Sequence, residues 1–314
     1  MNPRSLVTIA VACVAAAATM LMLPDQPAAS WHTAFSPSLV APGGAEHVGV
    51  RYARVDIGTD DPWHPGHTRT VMADIRYPAD DGEHPLRHYG RAQHMTELAM
   101  LAWAPDHEQR LGLEEGEVNW LFVTHAHRWA PPRGGLYPVV VLGAPPGAMR
   151  SSLTALSEDL ASHGFVVVTV DHPYDAPYVE LWPTREVIES GDATRRLTPA
   201  EAREARDADL AAIAGQVRDL DEELARAMGR GCTLVVSGAL ARRAARLTDD
   251  AMVEAQIAER YPGVTPTSER SPDVATMEAT FRGASAGFRR ALIRKWGHDG
   301  ACVSAEPAAT GEGR

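Results

Sequence analysis

The stretch that most constrains this chain is residues 137–173. A short apolar run, YPVVVLG (137–143), is followed by SSLTALSEDLASHG (151–164) and then by FVVVTVDHP (165–173). The first and third runs are apolar almost throughout, which suits strands buried on both faces. In the middle segment Leu153, Leu156 and Leu160 fall on one side of a helix, and Gly164 stands where a C-cap glycine belongs. Strand, helix, strand within about 35 residues predicts a βαβ unit with parallel strands. The expected class is therefore α/β.

The rest of the chain fits around that unit. HVGVRYARVDIGTDDPW (47–63) and TRTVMADIRYPADDGEHP (68–85) read as two strands, with Asp60, Asp61, Pro62 and Gly66 supplying the turn. Residues 86–136 are mixed, rich in His and Trp, and carry no assignable period. Thr198-Pro199-Ala200-Glu201 is a capping box with proline at the first helical position. Leu210, Ile213, Val217, Leu220 and Leu224 then mark one apolar face of a long helix ending near Met228. A coiled coil is the rival reading, with too few heptads to prefer it. CTLVVSG (232–238) is a further strand, and TDDAMVEAQIAERYPG (248–263) a helix with Thr248 as N-cap.

The N-terminus has a different character. Arg4 precedes a charge-free apolar run from Ser5 to Leu23, then Pro24 and the small residues Ala28, Ala29 and Ser30. This is the pattern of a secretory signal cleaved near residue 29 or 30. An uncleaved anchor is the alternative, since 19 apolar residues just span a bilayer. The expected division is a leader or anchor at 1–29 and one domain at 30–314, incomplete at its C-terminal end. About 285 residues suit one large α/β domain. Acids and bases are interleaved at a net charge of −11, with no basic arm, which argues against a nucleic-acid partner. Export would leave Cys232 and Cys302 in the mature chain, either as a disulfide or as two free thiols.

One motif carries chemistry. Gly283 to Gly287 reads G-A-S-A-G, the Gly-x-Ser-x-Gly pattern of a nucleophile elbow. VATMEATF (274–281) would be its strand and FRRALIRKW (288–296) its helix. A rival register uses CTLVVSGALARRAA (232–245) as strand, elbow and helix, which places Ala239 in the nucleophile slot and leaves no serine there.

LYPVVVLGAPPGAMRSSLTALSEDLASHGFVVVTVDHPYDA (136–176), with DPW (61–63) and RYPA (76–79), resembles the secreted bacterial α/β-hydrolases related to platelet-activating-factor acetylhydrolase, a group close to lipase- and cutinase-like esterases. The resemblance runs over roughly residues 48–228 and more weakly over the C-terminal stretch. It implies hydrolysis of a carboxylic ester with a short or lipid-like acyl group, from a small ester or lipid substrate that brings the chain to a lipid surface. It implies the α/β-hydrolase fold, with a doubly wound, mostly parallel sheet, and no metal or organic cofactor. Ser285 takes the place of the nucleophile. Glu306, at the end of the strand-like ACVSAEP (301–307), takes that of the acid. The oxyanion donors would be the amide of Ala286 and one from the 144–148 loop, at the Pro146 position without gaps or at Ala148 after a shift of two residues. His172 and Asp175 fall beside the site in structural roles.

Two departures stand against that pattern. Proline has no N–H to donate, and losing one oxyanion donor costs about 10²–10³ in turnover. The triad order of this fold is serine, acid, histidine. His298 is the only histidine after Ser285, and it precedes Glu306. Nine residues of helix carry it about 13 Å away. No base is identified, and the sheet is expected to stop after its sixth core strand. The second expectation is thus a catalytically inactive secreted relative, either a binding protein or a truncated product. His64 and His67, and His125 and His127, are expected as solvated or hydrogen-bonded residues rather than metal ligands.

Overall fold

The structure, a computed structural model, describes residues 34–81, 86–264 and 273–299. The leader at 1–29, Cys302, the strand expected at 301–307 and Glu306 lie outside the described residues. Among the described residues no helix is long and apolar enough to cross a membrane.

The described residues form nine strands: β1 His47–Asp60, β2 Thr68–Ala79, β3 Arg91–Gln93, β4 Val123–Arg128, β5 Tyr137–Gly143, β6 Val166–Asp171, β7 Tyr178–Leu181, β8 Glu186–Glu189 and β9 Met228–Val235. Seven make one sheet in the order β3-β4-β1-β2-β6-β5-β9, and β7 and β8 form a separate hairpin. β5, β6 and β9 are mutually parallel, β2 opposes β6, β1 opposes β2, β4 follows β1 and β3 opposes β4. Five of the seven strands therefore run one way.

The βαβ unit forms as its sequence directs. β5 and β6 pair in parallel from Val139↔Val166 to Gly143↔Val170, and α2 (Thr154–Ser162) connects them. Alternation sorts the sheet into two faces. Val140, Leu142, Val167, Leu234 and Val236 face one core cluster with Leu153, Leu156 and Leu160 of the connecting segment. Val139, Val141, Val166, Val168 and Val170 face the other, with Leu210 and Ile213 of α3 (Pro199–Gln216).

The unassigned stretch 86–136 contains β3, β4 and α1 (Glu97–Leu111). The capping box at Thr198 is formed, its side chain accepting from the Glu201 amide. The long helix expected to reach Met228 instead stops at Gln216. α4 (Glu222–Ala227) restarts behind Asp221, whose carboxylate accepts from the Leu224 amide and binds Arg51 at 2.5 Å. That cap and ion pair, with β1, hold the chain in a break, and Met228 opens β9 rather than ending a helix. α5 is Gly238–Ala244, and α6 is Asp250–Arg260 with Asp249, not Thr248, at its N-cap. The Asp249 carboxylate is drawn away to the Ala155 amide at 3.2 Å.

The C-terminal expectation is corrected outright. Val274–Asp299 is one 26-residue helix, α7, with no strand at 274–281. Phe281, Ser285, Phe288 and Leu292 recur at three- and four-residue spacing and are all buried, with Met277 one turn earlier packed on the same core. That stripe seats α7 on α2, α5 and α6.

Candidate functional site

Ser285 stands in the middle of α7, only 1% exposed. Its Oγ–H donates to the Asp159 carboxylate of α2 at 2.5 Å, and Arg289 one turn on donates to the same oxygen at 3.2 Å and to His163 Nδ1 at 2.8 Å. A Cβ on Gly283 would meet nothing within 4 Å, and one on Gly287 would meet the side-chain tips of Arg243 and Arg290, so neither glycine marks a crowded turn. The elbow expected at 283–287 is not formed. Ala286 lies in the same helical turn, away from any helix N-terminus, and His298 is in the last turn of α7.

A strand–turn–helix elbow does form, between β9 and α5. Its left-handed residue is Gly238, at φ +56°. This is the rival register shifted by one residue, with Gly238 rather than exposed Ala239 at the apex. A side chain at Gly238 would enter open space. Ser237, just before it, is exposed and extended (φ −133°, ψ 171°), and its hydroxyl makes no cap bond to α5.

The loop after β5 closes a tight turn. The Ala148 N–H donates to the Pro145 carbonyl at 3.0 Å across Pro146 and Gly147, whose φ is +72°. Proline second and left-handed glycine third are what a type II turn requires. The Ala148 amide is thus committed to the turn, and Pro146 has none to offer.

Beyond the ends of β5 and β6 sits a polar cluster. His172 is 1% exposed, with Nδ1 2.9 Å from an Asp209 carboxylate oxygen of α3. Arg69 donates to both Asp209 oxygens, to Asp61 at 2.9 Å and to the Pro173 carbonyl, and its guanidinium lies over the Trp63 ring. Burial alone would raise the Asp209 pKa. The hydrogen bonds from His172 and Arg69 outweigh it and hold the carboxyl below the usual range. His172 Nε2 is buried and meets no hydrogen-bond partner among the described residues. It lies 3.0 Å from where a Gly143 Cβ would be, so the glycine makes room for the ring. Sequence reading gave His172 a structural role only. The missed signal is its position directly after a parallel strand's carboxyl end, where α/β sheets place ligands. Asp175 is paired with Arg206 at 2.9 Å.

On the sheet's other face a second buried network carries Arg150. Its side chain binds Asp74 at 2.5 Å and also Asp171, and the Arg150 amide donates to Asp171 at 2.5 Å. Burial opposes its charge, but the two carboxylates hold the guanidinium firmly protonated. Burial raises the Asp171 pKa despite that partner. Above this network opens a cavity of about 340 Å³, walled by Met72, Met95, Met149, Tyr178, Trp129 and Trp182. That is the low end of small-ligand pockets. The two tryptophans are about half exposed at its rim. Trp129 and Arg185, also in the wall, take left-handed φ values of 59° and 63°, strain of a kind that gathers at functional sites.

The remaining histidine candidates are hydrogen-bonded or stacked. His125 Nδ1 lies 3.1 Å from buried Glu158, His127 Nδ1 is 3.0 Å from the Tyr89 carbonyl, and His64 stacks on Tyr174. Among the described residues no three His, Cys, Asp or Glu side chains converge as a metal site.

Against known proteins, the family model for platelet-activating factor acetylhydrolase, isoform II, matches residues 118–228. A platelet-activating factor acetylhydrolase of Canis lupus familiaris is 34% identical over 83 residues, which are 22% of this chain and 19% of that protein. The match thus spans about a fifth of that relative. The solved ferulic acid esterase from Streptomyces cinnamoneus superposes with a TM-score of 0.54 at 21% identity, covering 81% of this chain and 92% of that one. At that identity the likeness is one of fold. The chain is therefore an α/β-hydrolase-fold protein that resembles the platelet-activating factor acetylhydrolases through β4, the βαβ unit and α3, up to the first residue of β9.

Proposed function

We propose that this chain is an exported hydrolase of carboxylic esters with short or lipid-like acyl groups. The observation that carries the proposal is the match over residues 118–228 to acetylhydrolases, which contains the loop 144–150 and His172 at the carboxyl ends of β5 and β6. The reaction belongs at that edge, where ligands sit in open α/β sheets. The cavity is reached from the same loop through Met149, Arg150 and Ser151. It lies beside β6, and β9 is two strands further on, a distance of about 10 Å. An ester cleaved at the β9 end therefore needs a chain of medium length, passing over the carboxyl ends of the strands, to fill the cavity on the other face. The exposed Trp129 and Trp182 at the rim suit contact with lipid.

A second reading has a specific observation behind it. Gly238 leaves the elbow apex without a side chain, and Pro146 and Ala148 offer no free oxyanion amide. On that reading the chain binds esters without cleaving them. The two separate in one experiment on the purified full chain, using p-nitrophenyl acetate, butyrate and octanoate. Hydrolysis that improves with chain length, and loses that preference in Trp182→Ala, supports the hydrolase. A folded chain that hydrolyses none of them, yet shows saturable tryptophan quenching with the octanoate ester, sinks it in favour of the binder.

A further inference from the structure

The hydrolase reading lacks a nucleophile and a base, since Ser285 is locked to Asp159 and the elbow apex is glycine. We infer that Ser237, His172 and Asp209 form the catalytic unit at the carboxyl edge of the sheet, with Ser237 as nucleophile and His172 as general base. The inference rests on the hydrolase reading for its substrate class, and on the following geometry for its residues.

The sheet register brings them together. Val141 of β5 pairs with Val235 of β9, and Gly143 pairs with Val170 of β6. The Val236 amide donates to the Val141 carbonyl at 2.9 Å, and Ser237 keeps extended dihedrals. Strand geometry thus continues to Ser237, two residues past Val235, beside Gly143, two past Val141. Neighbouring strands lie about 4.8 Å apart. Side chains alternate, so Ser237 shares the face of Val235, which packs with the α3 cluster. Gly143 belongs to that face too, because its absent Cβ points at Leu210 of α3 and at His172 Nε2. His172 reaches the same spot from the β6 side. Gly143 therefore lies between Ser237 and the imidazole, and its missing side chain makes room there for the Nε2 edge of the ring beside Leu210.

The chemical states fit. The Asp209 carboxylate accepts a hydrogen bond from Nδ1–H, which leaves the Nε2 lone pair free. Nε2 is buried and unpartnered, a costly condition unless a donor arrives. A Ser237 rotamer directed over Gly143 supplies that donor, while the serine stays exposed to substrate. In the acylation step the Ser237 oxygen attacks the ester carbonyl carbon as its proton passes to His172 Nε2. The carbon–oxygen bond to the alcohol breaks, and the leaving oxygen takes the proton back. Water then repeats the sequence and releases the acid. Arg69, which donates to both Asp209 oxygens, is a positioning residue.

Covalent labelling tests this without relying on ester turnover. The full chain is treated with a biotinylated fluorophosphonate and the adduct is mapped by mass spectrometry. The expected adduct is on Ser237. It is absent in Ser237→Ala, and its rate falls roughly 100-fold in His172→Gln, the size of a lost general base. If His172→Gln fails to fold, the wild-type adduct position and the surface variant Ser237→Ala still decide. An adduct on another serine, or none on the folded wild-type chain, overturns the assignment. Ester turnover with the adduct elsewhere leaves the hydrolase reading standing and removes Ser237. An adduct on Ser237 without turnover of any ester does the reverse.

Discussion

Replacing Ser285 with alanine separates a structural serine from a catalytic one. The hydroxyl donates to Asp159 at 2.5 Å and is 1% exposed. A hydrogen bond to a charged acceptor contributes about 1.5–3 kcal/mol. Asp159 is not orphaned by the change, because Arg289 at 3.2 Å and the Gly43 amide at 3.0 Å remain, which favours the lower end. Alanine also improves helix propensity by about 0.5 kcal/mol over serine. The net expectation is a loss of about 1 kcal/mol, or 2–4 °C in Tm for a domain of this size. Calorimetry reads the melting temperature, and p-nitrophenyl butyrate reads turnover in the same preparation. Turnover should stay within about twofold of wild type. An unchanged Tm together with a loss of turnover beyond about 100-fold would refute the reasoning, since it would make the helical serine the nucleophile.

Three further perturbations have defined outcomes. Arg150→Met strands Asp171 without its cation and leaves Asp74 with Arg76 at 3.4 Å, so it should cost about 3–5 kcal/mol in urea unfolding; a loss under about 1 kcal/mol would mean that the network is not buried as described. The Asp209 pKa is depressed in the folded chain, so its contribution to stability is present above the ordinary carboxylate pKa, about 3.9, and is lost as pH falls through the native value. Asp209→Asn should therefore be less stable at pH 7 and lose stability less steeply than wild type between pH 6 and 3 in parallel urea melts; equal slopes would contradict the sign. Gly238→Ser places a side chain in open space but at φ +56°, so it should fold with a loss of about 1–2 kcal/mol in the same melts, and failure to fold would show that the apex is crowded.

The βαβ core was legible because both strands are buried on both faces and so carry unbroken apolar runs, and because Leu153, Leu156 and Leu160 repeat at helical spacing. α7 carries two competing signals. Met277, Phe281, Ser285, Phe288 and Leu292 have a helical period, while the Gly-x-Ser-x-Gly pattern on the same segment predicts a turn. The burial of Ser285 on that stripe shows that the period, not the motif, governs the backbone. The true elbow was harder to see, because glycine satisfies the left-handed apex without advertising chemistry. Two features depend on partners far apart in sequence and leave no local trace. Asp209 meets His172 across 37 residues, and Asp221 meets Arg51 across 170. The first builds the polar cluster at the sheet edge, and the second breaks a helix that propensity alone would have continued.

The central claim is that the carboxyl edge of β5, β6 and β9 hydrolyses esters, and steady-state turnover of p-nitrophenyl butyrate at neutral pH tests it most directly. The full chain is assayed beside Ser237→Ala, with circular dichroism showing both folded. Turnover above the uncatalysed rate in wild type, reduced by at least about 100-fold in Ser237→Ala, is the predicted result. A folded wild-type chain with no turnover would contradict it, and turnover that Ser237→Ala leaves intact would remove Ser237 as the nucleophile.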